Sequence, residues 1–127
     1  MTRFFSRKPK PAAFFHVPSG RGALVNGVGA LVGYRHELLG HLLSGKLLVE
    51  SHLVTLAADA RPYAAGRHQG LKFLHLLKGG LIYRHGQRLA RLNPGDSLLF
   101  DATTPHGIEV ILQPPVSYLS IVLSMRD

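Results

Sequence analysis

The 127-residue chain contains no cysteine. Neither a disulfide framework nor a thiolate metal site can form without one, and a reducing cytoplasm is the expected setting. Acidic residues are few, 7 against 15 Lys and Arg for a formal charge of +8, and none precedes Glu37. No uncharged stretch reaches the ~20 apolar residues that a membrane-spanning helix needs. Residues 22–34, one such stretch, are glycine-rich, so no membrane partner is expected. The N-terminal MTRFFSRKPKPAAFF has charges but no apolar core of signal-peptide length, which argues against secretion. No serine sits in a nucleophile elbow, and no paired carboxylates line up with a histidine. GVGALVG lacks the lysine and Ser/Thr of a phosphate-cradling loop.

What is present suits one β-rich domain. Hydrophobic residues make up 46% of the chain, too many for disorder, and 14 glycines and 8 prolines favour many short strands over long helices. Residues 1–22 read as a basic N-terminal arm. Pro9 and Pro11 keep it extended, Arg3, Arg7, Lys8, Lys10 and Arg21 charge it, and Phe4, Phe5, Phe14 and Phe15 are apolar anchors for the domain or a second chain. Such an arm has at best non-specific affinity for DNA, and its simplest role is to keep the protein soluble. Residues 23–127 form the domain.

Within it, residues 23–45 are expected to hold two short strands, although Leu38, Leu39, Leu42 and Leu43 have helical spacing. KLLVESHLVTL and LKFLHLLKGG follow as strands. LIYRHGQRLARL reads as a hairpin around His85-Gly86, NPGD as a tight turn, SLLFD as a strand and ATTPHG as a loop. GIEVILQ and VSYLSIVLS are strands separated by Pro114-Pro115. Asp96 is a turn former, and Asp101 is placed to cap the loop after it. His75, inside an apolar strand, reads as a core or interface histidine. Short strands at near-regular spacing argue for a sandwich or barrel.

The stretch LKFLHLLKGGLIYRHGQRLARLNPGDSLLFDATTPHG resembles the cupins, small jelly-roll β-barrels. More narrowly, it resembles the sensor domain that follows a helix-turn-helix in a group of bacterial transcriptional regulators. The likeness runs over residues 46–123 and is strongest in PGDSLLFDATTPHG. It implies an all-β fold, the cupin double-stranded β-helix.

The first cupin motif, G-x5-H-x-H-x3,4-E-x6-G, places Ala60 at its leading glycine, Gly66 at its first histidine, His68 at its second, Lys72 at its glutamate and Gly79 at its last glycine. The second, G-x5-P-x-G-x2-H-x3-N, starts at Gly95, puts Asp101 and Thr103 at its proline and glycine, retains His106, and ends at Val110.

Two of the family's four usual metal ligands therefore remain, His68 and His106. A lysine ammonium offers no lone pair and repels a dication, so the resemblance implies no tightly held divalent transition metal here. If Lys72 points inward as the family's glutamate does, it joins His68 and His106 in an electropositive pocket for a carboxylate, phosphate or carbonyl ligand. Otherwise it extends outward to pair with Glu50 or Glu109. For His106 the simpler role is a loop-closing hydrogen bond to backbone. His16, His36, His41, His52, His75 and His85 could also contribute, but spacing nominates none.

The expected function is small-molecule sensing in or near transcriptional control, without catalysis. A small metal-dependent enzyme, an oxygenase or isomerase, is the alternative, and a structural dimer with a vestigial pocket is a third possibility. DNA would be reached only through a helix-turn-helix domain, for which residues 1–22 are too short. A homodimer is expected, because KLLVESHLVTL and VSYLSIVLS are apolar on both parities and need cover.

Overall fold

The computed structural model describes residues 14–25, 32–62 and 66–126. Seven strands and no helix occur among them: β1 (Ala23–Leu24), β2 (Tyr34–Ser44), β3 (Leu47–Leu56), β4 (Leu71–His85), β5 (Arg88–Leu92), β6 (Ser97–Asp101) and β7 (His106–Met125). All pairings are antiparallel, in the order β1-β2-β3-β7-β4-β5, with β6 also on β4. The described chain is all-β and antiparallel, as the resemblance implies.

The long strands β4 and β7 build the two halves of the barrel. The first half of β4, residues 71–75, pairs with β6 and with residues 119–123 of β7. Its second half, residues 81–85, pairs with β5 and with residues 106–111. Between them the register slips repeatedly, opposite Pro114-Pro115. Proline carries no N–H for the ladder, so pairing lapses there while the backbone stays extended. The two expected C-terminal strands are thus one continuous element, and LKFLHLLKGG runs on into the hairpin arm. Gly79 sits at the bend with φ +86°, where a Cβ would meet the Gln113 and Pro115 carbonyls at 2.6 Å.

The slips also switch the inward parity of β4. Leu74 and Leu76 point inward before the bend, Leu81 and Tyr83 after it. These four close the core with Val54, Leu56, Leu92, Ile108, Val116 and Tyr118. His75 falls on the outer parity beside Phe73, half-buried, and is not a core residue.

Other expectations shift by small amounts. The hairpin turn is Gly86-Gln87, one residue later than read, since His85 pairs with Arg88, and Gly86 supplies φ +62° at its first central position. The NPGD turn forms with Asp96 N donating to Asn93 O, while Asn93 N donates to the Asp96 carboxylate at 2.8 Å. Residues 23–45 hold a two-residue strand and an eleven-residue one, with a bulge between Leu38 and Gly40. Phe4, Phe5 and most of the arm lie outside the described residues. Phe14 is 82% exposed, whereas Phe15 lies against Gly40 and the His41 ring.

Candidate functional site

Cross-strand pairs share a face in an antiparallel sheet, so register assigns each side chain to the interior or the exterior. One inward row holds Glu50, Val122, Lys72 and Phe100. The next row inward holds Leu38, His52, Ser120, Leu74 and Leu98, and a third holds His36, Val54, Tyr118 and Leu76. Leu74, Leu76, Val54 and Tyr118 are all buried, which fixes this face as the interior. Lys72 therefore faces into the barrel.

Desolvation by burial pushes the Lys72 ammonium below its ordinary pKa. Among the described residues it has no ion pair. Glu109 is taken instead by Arg84 in a two-pronged bridge of 2.8 and 3.0 Å, and Glu50 lines the same pocket as Lys72 without a salt bridge to it. That pocket has a volume of about 500 Å³ and is walled by Glu50, His68, Lys72, Val122 and Arg126 among others.

His68 and His106 are brought together by backbone stapling. Gly66 and His106 exchange N–H to carbonyl bonds of 3.1 and 2.9 Å, His68 N donates to Ala102 O, and Ala102 N donates to Gly70 O. Asp101 caps the intervening loop by accepting from the Thr103 amide and hydroxyl. The two imidazoles stand 5.4 Å apart, edge to face. His106 is 5% exposed, and its ring also contacts Phe100 and Tyr83. Its Nδ1 donates to the Thr104 carbonyl at 2.9 Å, which is the loop-closing bond anticipated as the simpler role. His68 Nδ1 donates likewise to Gln69 O at 3.0 Å. Since a carbonyl only accepts, both rings in the neutral form carry their proton on Nδ1 and present a bare Nε2. Burial is the main cause of a lowered His106 pKa, with the Lys72 charge adding to it.

These residues do not suit a divalent metal. His68 and His106 offer two Nε2 donors, but Gly66 contributes no side chain and Lys72 contributes a cation. Among the described residues no three His, Asp or Glu side chains converge in a way that could hold an ion.

Three further histidines, which spacing did not nominate, lie on the inward face. His36 and His52 meet inside the barrel with ring centroids 4.7 Å apart. His85 donates from Nε2 to Asp101 O at 2.9 Å and packs on Phe100, on the inward parity that follows the bend. The signal for His52 was its alternation with Val54 and Leu56.

The His36 and His52 pKa values are both lowered, chiefly by burial. Each other's charge (for His36) and Lys72 add to this, while Glu50 partly opposes it at His52. Their neutral forms are thus favoured by folding. Stability is full above the unfolded value of about 6.5 and is lost as pH falls below it. Thermal melts are expected to show a lower Tm at about pH 5.5 than at about pH 7.5, and His36→Gln should flatten that slope. A pH-independent Tm would contradict the buried placement.

The sequence matches the family described as Cupin domain over residues 52–122. No curated protein matches it. Among solved structures, KdgF from Halomonas sp. is similar with a TM-score of 0.65 and 19% identity, over 92% of this chain and 97% of that one. The cupin domain of an XRE family transcriptional regulator from Enterobacter cloacae gives 0.60 and 15%, over 75% and 99%. An HTH_3 family transcriptional regulator from Vibrio cholerae gives 0.62 and 17%, over 76% of this chain and 53% of that one, so the chain spans about half that regulator's length. Fe(II)-bound HppE is also similar, with a TM-score of 0.67 and 19% identity, over 91% and 62%.

Proposed function

This chain belongs to the cupin family, and on that premise we propose that its barrel mouth binds a small anionic or carbonyl-bearing molecule through Lys72, His68 and His106, without a tightly held metal. The observation that carries the reading is Lys72: an inward, desolvated ammonium with no acid partner among the described residues. A bound carboxylate would supply the missing counter-charge.

The bare Nε2 atoms add a condition. To donate to an anion, the His106 Nε2 must first take up a proton, so binding should tighten as pH falls. Titrating metal-free protein with acetate or malonate is expected to give binding in the presence of a chelator, tighter at about pH 6 than at about pH 8. Binding that appears only after Ni²⁺, Zn²⁺ or Fe²⁺ is added would overturn the reading. It would also favour the metal-dependent enzyme, to which the Fe(II)-bound relative gives some support.

The similarity to regulator cupin domains supports sensing, in the cytoplasm, as the use of this site. In this reading residues 1–22 are the arm and 23–127 the domain, and any specific DNA contact belongs to a helix-turn-helix domain. The domain works as a homodimer. Its outer face carries a continuous apolar stripe, with Leu53 across from Leu119 and with Ile121, Phe73 and Leu99 side by side. Leu99 is 69% exposed. Light scattering should give twice the 13.9 kDa chain mass, and Leu99→Glu should return the single-chain value. A monomeric parent would refute the dimer.

A further inference from the structure

The His36–His52 pair is not used by the mouth site. His36 Nε2 and His52 Nδ1 are buried, and neither has a hydrogen-bond partner among the described residues. Buried polar atoms are normally satisfied, and an orphan bears the full loss of its hydration. Two orphans side by side point to an absent partner. The Lys72 charge helps to lower the pKa of His36, His52 and His106, and Lys72 lines the mouth pocket together with His68. His52 lies one row inward of Lys72, roughly 7 Å along the strand direction.

We propose that His36 and His52 are the inner half of the ligand site, and that the ligand is a small dicarboxylic acid. One carboxylate sits at Lys72 with His68 and His106. The second reaches inward and takes up the two unsatisfied nitrogens. This deepens the reading of the mouth as an anion site and rests on it. A monocarboxylate at Lys72 would leave both orphans as they are. Glu50 lies in the Lys72 row and repels a second carboxylate held at the rim, which favours the inward placement. The pocket of about 500 Å³ is lined by Glu50, His68 and Lys72 and receives the outer carboxylate, while the His36 and His52 imidazoles lie beyond its lining.

The test is a calorimetric titration of metal-free protein with acetate, malonate and succinate at about pH 6. At least one diacid is expected to bind about tenfold or more tightly than acetate. His36→Gln and His52→Gln, made separately, should each bring that diacid down towards acetate and leave acetate unchanged. Equal affinities in the parent protein, or a diacid advantage that survives in both variants, overturn the inner site and leave the mouth site standing. Failure of all three acids to bind overturns both. The parent series needs no variant, so equal affinities there overturn the inner site even if a substitution prevents folding.

Discussion

The double variant Gly66→His/Lys72→Glu is expected to bind Ni²⁺ or Zn²⁺ at least about 10³-fold more tightly than the parent chain, because it completes a set of three imidazoles and a carboxylate. The backbone already accommodates the change. Gly66 is locked to His106 by reciprocal hydrogen bonds, and a Cβ added there meets nothing within 4 Å. Lys72 faces into the same barrel, and its charge depresses the His106 pKa. Lys72→Glu removes a repelling cation and supplies an oxygen donor at one stroke. Metal analysis after dialysis, followed by calorimetry, would measure the gain. Unchanged affinity would mean that Gly66 and Lys72 do not flank the two imidazoles, and the placement of the mouth would fall with it.

Lys72→Met should separate stability from binding. The parent buries an ammonium with no acid partner among the described residues, and removing a poorly compensated buried charge is commonly stabilising, here by about 1 kcal/mol or more. At this chain length that raises Tm by roughly 4 °C or more. Carboxylate affinity should fall at least about 30-fold, since a charge-assisted hydrogen bond is lost along with the counter-charge. Melting curves and titrations on the same preparation would show the opposed effects. A lower Tm would mean that Lys72 is held by favourable contacts and is part of the scaffold.

Much of the architecture was legible locally. Apolar, β-rich runs between turn signals marked β3, β4 and β6, and Pro-Gly-Asp marked a turn whose hydrogen bonds are as its residue types require. His68 and His106 were within reach because each lies in a motif of fixed spacing. Two things depended on register instead. The parity switch in β4 arises from bulges opposite Pro114-Pro115, and no alternation within the strand announces it. The His36–His52 pair is assembled by the β2–β3 ladder, whose register itself shifts between Leu38 and Gly40. Sixteen positions separate these two residues in sequence, and only strand pairing makes them neighbours. Pro114-Pro115 misled in the other direction, because proline interrupts a ladder without ending the extended chain.

The central position of β4 and β7 governs how long the pocket lasts. Each is flanked by strands on both sides, while β1 and β5 occupy the ends of the sheet order. Fraying starts at such ends, and amide protons of interior strands exchange with solvent only in the rarest openings. Lys72 and His106 belong to those interior strands, one near the start of each. Their mutual placement is therefore expected to outlast the fraying of β1 and β5.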